Sequence, residues 1–280
     1  MRTARRGSLT TKDTKDTKKQ SGPCRFEPLC PWCPLWLVVV MMLGMAHAAE
    51  TAPARRPGAP PKVLNVVRQT LKRGAVSAYA TLEATIVRGY QRARIPLYWI
   101  ALQSAKSPVE ILYLNLFDAA DGAARAEATY RDTVPRHPDL VRLQERLAAH
   151  GAAPPTSTLT MRRDEFVYGR DDVDFATMAA LRVTVFHVKA GHEGEFVDAA
   201  QTGRAVPWQM YEDTATSTFF LVAPLGGPSD RRATATPRTL RRLKGIYTVE
   251  RPVVYVVQPA MSHAPPEFAA VNARYRKATH

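Results

Sequence analysis

The sequence predicts an α+β fold in which two tandem βαββαβ units face one another and close into an eight-stranded barrel with helices outside. Three observations predict it. Apolar, β-branched runs alternate with helical stretches in the same order twice along the chain. A shift of 117 residues superposes Leu64 on Leu181, Val66 on Val183, Lys72 on Lys189, Gly74 on Gly191 and Tyr79 on Phe196. Both copies pass from strand to helix through a Lys-x-Gly turn, and glycine suits that reversal because it adopts positive φ without a Cβ penalty. A repeat of this length marks one supersecondary unit used twice.

The elements follow in order. Val63 to Leu71 is rich in β-branched and apolar residues and reads as a strand, which Lys72-Arg73-Gly74 ends. A helix runs to about Arg94, with Tyr79, Leu82, Ile86 and Tyr90 at helical spacing, and Pro96 closes it. Leu97 to Leu102 and Ile111 to Phe117 form a strand pair around Lys106-Ser107-Pro108. Helices begin near Asp121 and at Pro138, the second with Leu140, Leu143 and Leu147 on one face; Pro138 suits a first helical turn. Thr158 to Tyr168 supplies the fourth strand. The second unit repeats the plan with Leu181 to Val188, a helix carrying Phe196, Ala199 and Ala200, strands at Trp208–Asp213 and Thr218–Ala223, a short helix at Thr239–Lys244, and a last strand at Val253–Val257. The chain therefore divides into a leader (1–48), a Pro/Ala/Arg-rich linker (49–61), a first ferredoxin-like repeat (62–170), a second (180–258) and a tail (259–280) expected to pack its aromatics across the surface.

The stretch Val183-Thr184-Val185-Phe186-His187-Val188-Lys189-Ala190-Gly191-His192-Glu193-Gly194-Glu195-Phe196 resembles the opening strand, turn and helix of antibiotic-biosynthesis-monooxygenase-like and NIPSNAP-like domains. Together with its counterpart at Val63–Tyr79, it is similar to the dimeric α/β-barrel superfamily in a tandem, pseudo-dimeric form. The resemblance implies fold rather than chemistry, since this superfamily holds enzymes, ligand-binding proteins and members of no known role. It transfers no catalytic residue.

The first block has the order of a secretory signal: a basic stretch from Arg2 to Arg25, an apolar run from Leu35 to Met45, and Ala46-His47-Ala48. The expectation is an exported, periplasmic protein cleaved near Ala48, with an uncleaved anchor as the alternative; the apolar run is short of the roughly 20 residues of a membrane span. Cys24, Cys30 and Cys33 all lie within that leader, so the mature chain carries no thiol for disulfides or metal. Removing the eight basic and three acidic residues of the leader leaves about +9 of the chain's +14. This charge suits anionic surfaces or ligands. A nucleic-acid role is not expected, because the densest basic stretch (Arg231, Arg232, Arg238, Arg241, Arg242, Lys244) lacks interleaved aromatics. Contact with anionic cell-surface material is the role open to it.

Six residues stand out as ligand-binding candidates. Tyr98, Trp99, Trp208 and Tyr211 fall on equivalent strands and can grip a flat molecule, although buried aromatics mostly fill cores. Neighbouring Tyr98 and Trp99 must face opposite sides of a sheet. Glu212 (or Asp213) can orient a polar group, and His187 ends a strand. His187 with His192, Glu193 and Glu195 can form an acid–base cluster, but carboxylates at a helix start are also common for their dipole alone. No metal-ligand spacing, phosphate loop or nucleophile elbow is present. The expectation is a protein without cofactor or metal that binds a small apolar or aromatic molecule or serves as a non-catalytic interaction module. A cofactor-independent oxygenase-like enzyme acting inside the barrel is the alternative, and polar groups beside the cavity would favour it.

Overall fold

The computed structural model describes residues 58–168, 174–201, 208–213, 215–230, 238–243 and 245–278; the leader and most of the linker lie outside them. The first unit comprises β1 (Val63–Thr70), α1 (Val76–Ala93), β2 (Ile100–Ser104), β3 (Glu110–Phe117), α2 (Ala120–Thr133), α3 (Pro138–Ala148) and β4 (Thr156–Tyr168). The second comprises β5 (Ala180–Val188), α4 (Glu193–Gln201), β6 (Trp208–Asp213), β7 (Thr218–Leu225), β8 (Tyr247–Val249) and β9 (Val253–Val257), and a tail with α5 (Pro266–Val271) and α6 (Ala273–Ala278) follows.

Every strand pairing is antiparallel, and the ladder runs β1-β3-β2-β9-β5-β7-β6-β4 and returns to β1. The two four-stranded sheets are joined at β2–β9 and β4–β6, which closes the expected eight-stranded barrel. β8 is an addition: it pairs with the upper end of β5, above the stretch that β9 occupies. The two turn glycines have the required conformation, with φ of 80° at Gly74 and 84° at Gly191.

Side chains sort by strand parity. Leu64, Val66, Leu112, Leu114, Leu181, Val183, Val185, Phe220 and Val222 point into the lumen. Val67, Ala101, Ile111 and Tyr113 point outward beneath α1 and α3, and Phe186, Phe219 and Leu221 outward beneath α4. Tyr79 and Phe196, superposed by the repeat, are both buried in these outer layers.

Three sequence expectations are revised. β2 starts at Ile100 rather than Leu97, because Trp99 is drawn into a single bridge with His263 of the tail. The helix expected at Thr239–Lys244 is a short 3-10 turn at Arg238–Arg242. The tail does not lie across the surface. Phe268 and Tyr275, each 2% exposed, join Phe175 and Met178 in the lumen cluster, and Asn272 Nδ2 donates to Ala176 O at 2.7 Å. These residues plug the end of the barrel at which β1 and β5 begin.

Candidate functional site

With one end plugged, the lumen is polar at the other, where β1, β2, β5 and β6 end and β3, β4 and β7 begin. A cavity of about 470 Å³ lies there, lined by Arg68, His187, Glu250, Thr218, Val185 and Phe220 among others. Its opening is lateral. β6 pairs with β4 at Met161 and Arg162 and ends at Asp213, where the chain turns into β7. Among the described residues, the upper part of β4 (156–159) thus has β1 on one side and no strand on the other. The cavity occupies that slot, between this edge and the turn carrying Ala215 and Thr216.

One chain of polar contacts spans the mouth. Arg68 sits at an inward position of β1, two residues beyond Val66, and places its fork on Glu110 (Nε–Oε1 3.0 Å, Nη2–Oε2 3.3 Å). Its Nη1 also reaches Glu250 Oε2 at 3.0 Å. The Tyr255 hydroxyl donates to Glu110 Oε1. Burial works against the charge on Arg68, but the Glu110 hydrogen bond and the Glu110 and Glu250 carboxylates outweigh it, and its pKa is raised. Burial, then the Glu110 charge, pushes the Tyr255 hydroxyl up.

Glu250 extends the chain to His187, whose Nε2 is 3.1 Å from Glu250 Oε1. His187 Nδ1 is 3.2 Å from Thr218 Oγ1, which lies 2.9 Å from Thr216 Oγ1. A carboxylate only accepts hydrogen bonds, so in the neutral imidazole the proton sits on Nε2 and Nδ1 presents its lone pair to Thr218. Thr216 Oγ1 donates to Asp213 Oδ2 at 2.6 Å, and Ala215 N to Asp213 Oδ1 at 3.0 Å, which fixes the turn at the side of the slot. The wall below is apolar, with Val185 and Phe220 facing the cavity.

The six candidate residues separate. Of the five whose side chains are described, His187 alone lies in this mouth. Tyr211 is fully buried in the lumen core and donates its hydroxyl to Pro61 O at 3.0 Å. Glu212, its neighbour, faces outward and pairs with Arg163 at 2.5 Å. Trp99 faces the α1 layer, donates to Met261 O at 2.9 Å, and stacks edge-on against Tyr90 at 5.1 Å. Tyr98 is half-buried at the plugged end, where it borders a 150 Å³ cleft. The backbone of Trp208 opens β6, and its side chain lies outside the described residues. His192, Glu193 and Glu195 form a helix start rather than a site. His192 Nδ1 is 3.3 Å from Glu195, and Ser217 donates to Glu193 at 2.5 Å, a bond that holds the Glu193 carboxyl below its usual range. Of the basic stretch, Arg231, Arg232 and Lys244 lie outside the described residues, as do the side chains of Arg238 and Arg241; Arg242 is exposed. Among the described residues no group of three or more His, Cys, Asp or Glu is placed to hold a metal, and no helix is long and apolar enough to cross a membrane.

Arg68, Glu110, Glu250, Thr218 and Tyr255 are the residues that sequence reasoning missed. A signal for Arg68 was present: an arginine at an inward parity position in an otherwise apolar strand needs acidic partners.

No protein-family model matches the chain, and no curated protein does. Solved structures of similar fold do. A candidate monooxygenase from Fusobacterium nucleatum matches with TM-score 0.47 and 10% identity over 71% of this chain and 93% of its own. An anthrone oxidase-like protein matches with TM-score 0.45 and 11% identity, covering 70% and 92%. A chlorite dismutase variant from Candidatus Nitrospira defluvii gives 0.42 and 10%, covering 72% and 92%. The expectation of a non-catalytic binding or interaction module is corrected here. The cavity carries a titratable network, Arg68, Glu110, Glu250 and His187, that a plain apolar binder does not need. At these identities the likeness is one of fold, and the closed ladder states that fold directly: an eight-stranded α/β barrel with both halves supplied by one chain.

Proposed function

We propose that the protein is a cofactor-independent, oxygenase-like enzyme that acts inside the barrel on a small apolar or aromatic substrate with an acidic C–H or O–H bond. The observation that carries this reading is the Glu250–His187–Thr218 array at 3.1 and 3.2 Å, facing a cavity of about 470 Å³ with an apolar floor. Glu250, held from behind by Arg68, orients the imidazole and stabilises the cation that forms when Nδ1 takes a proton. Thr218 is the hydroxyl through which that proton passes, or which the substrate displaces.

The reaction class is oxidation of an activated methylene, R₂CH₂ + O₂ → R₂C=O + H₂O, which balances with no external reductant. Nδ1 removes one C–H proton, and the resulting carbanion passes one electron to dioxygen. The radical pair combines in a C–O bond, giving a peroxide on the substrate carbon. The imidazolium returns its proton to the outer oxygen as the O–O bond breaks. Loss of the second C–H proton completes the carbonyl and the water. Val185 and Phe220 supply the dry wall that favours charge transfer between an apolar substrate and dioxygen.

Anthrone, which carries such a methylene, is a suitable probe. Under isotopically heavy dioxygen the product should carry one heavy oxygen, formed with one equivalent of oxygen consumed. Label entering from water instead, or turnover that persists without oxygen, would overturn the reading. We also place this enzyme outside the cytoplasm, on the strength of the leader's charge, apolar run and Ala46-His47-Ala48. N-terminal sequencing of the protein from its own host should begin at Ala49.

A further inference from the structure

We infer that the upper edge of β4 is the substrate-orienting element of the cavity, and that it selects planar molecules with a hydrogen-bond donor and acceptor side by side on one edge, as in a lactam or an enolised carbonyl. The juxtaposition behind this is the backbone of Ser157 and Leu159, which has no β6-side partner among the described residues and lines the same slot as Thr216, Thr218 and His187.

Residues of an antiparallel strand direct their N–H and C=O groups alternately to the two neighbouring strands. Arg162 N donates to Lys62 O at 2.8 Å, and Thr160, Thr158 and Thr156 stand opposite Leu64, Val66 and Arg68. The even-numbered residues of β4 therefore spend their backbone groups on β1. Leu71 N donates to Val109 O, so the odd-numbered residues of β1 are spent on β3, in the same phase. The odd-numbered residues of β4 must face the other way. Met161 meets Glu212 of β6, but Ser157 and Leu159 lie above the point where β6 ends at Asp213. Two N–H and two C=O groups, fixed by the ladder behind them, thus point into the slot. Backbone groups held away from partners need water or a ligand.

The occupant is a small molecule rather than an added strand. The free stretch offers two slot-facing residues between the strand start at Thr156 and the β6 pairing, and strands typically run about five or six residues. The cavity of about 470 Å³ lies within the range of small-molecule pockets, roughly 300–1,000 Å³. A planar ligand with its donor–acceptor edge on Leu159 extends toward Val185 and Phe220, with its reacting carbon toward His187 and Thr218. The inference rests on the cavity being the substrate site, as proposed above, but not on His187 acting as a base.

Titration of isotope-labelled protein with carbostyril, an aromatic lactam, and with N-methylcarbostyril tests it. Carbostyril should move the amide resonances of Ser157 and Leu159 first, and should bind about tenfold more tightly than its N-methyl derivative, the worth of one or two directed hydrogen bonds. Leu159→Pro deletes a slot-facing N–H that the β1 ladder does not use. It should weaken carbostyril about tenfold and leave the N-methyl compound unchanged. Equal binding of the two compounds, shifts confined to other residues, or no binding of carbostyril at millimolar concentration overturns the inference. The wild-type comparison stands even if the proline variant fails to fold. A protein that oxidises anthrone yet binds the two lactams equally keeps its proposed reaction and loses this substrate class.

Discussion

His187 Nε2 lies 3.1 Å from Glu250 Oε1, although 63 residues separate them in sequence. The contact exists because the end of β5 and the segment entering β9 meet at the mouth of the closed barrel. The pair also sits where the internal repeat loses its symmetry. Thr70 and Glu110 face each other across β1 and β3 as His187 and Thr218 do across β5 and β7. One copy of the mouth holds an ion-paired carboxylate, and the other an imidazole with a hydroxyl.

Thr218→Val should separate a relay from a packing role. The hydroxyl is the only part removed, and Thr218 is buried. If protons reach Nδ1 through it, kcat for anthrone oxidation should fall by about tenfold, less than the loss of about 10²–10⁴ expected for the base itself. The melting temperature should move by only a few degrees.

Arg68 is a stability element as well as a mouth residue. Arg68→Met leaves Glu110 and Glu250 close together without their shared cation. Breaking a fully buried pair costs about 3–5 kcal/mol, and the 28% exposure of the Arg68 side chain reduces that to about 2 kcal/mol. Chemical denaturation at pH 7 should show the loss. Arg68→Lys should not restore full stability, because the two-point contact with Glu110 needs a planar fork.

Glu83 predicts a pH dependence unrelated to the mouth. It is 1% exposed on the buried face of α1, and neither of its oxygens has a hydrogen-bond partner. Burial pushes its carboxyl up to about 8 from an ordinary 4.5, while nearby Tyr113 and Trp99 offset part of that push without closing a hydrogen bond. A carboxyl raised in the folded state binds its proton more tightly there than in the unfolded chain. Its contribution is therefore fully present below about pH 4.5, declines as pH rises, and is lost above about 8. Unfolding free energies measured at pH 5, 7 and 9 should fall by a total of a few kcal/mol. Glu83→Gln should flatten that slope.

The tail should behave as core. Phe268→Ala empties a 2% exposed site in the lumen cluster and should cost about 3–5 kcal/mol, measured by denaturant unfolding. A loss below about 1 kcal/mol would mean that the plug is dispensable.

The fold was largely legible because two periodicities carry it. The strand pattern of Val63–Leu71 and Leu181–Val188 and the turn glycines at Gly74 and Gly191 repeat in register, and only a closed barrel buries both inner faces. The tail was not legible, since Phe268 and Tyr275 show no period and their burial depends on a barrel end that sequence does not display. Much of the site escaped for a similar reason. Aromatic residues drew attention, but Trp99 and Tyr211 are consumed by packing and by hydrogen bonds to Met261 and Pro61. In sequence Glu110 at the start of β3 and Glu250 between β8 and β9 are ordinary charged residues, and only closure of the barrel brings both to Arg68.

The most direct test of the central claim is oxygen uptake by the wild-type protein and His187→Gln, with anthrone as substrate. The side chain of His187 is 48% exposed, so the substitution should leave the fold intact. Uptake that tracks wild-type protein and drops by about a hundredfold or more in the variant, with an unchanged melting temperature, is the result this account predicts. Equal rates in the two proteins, or no uptake above the uncatalysed background in either, would contradict it.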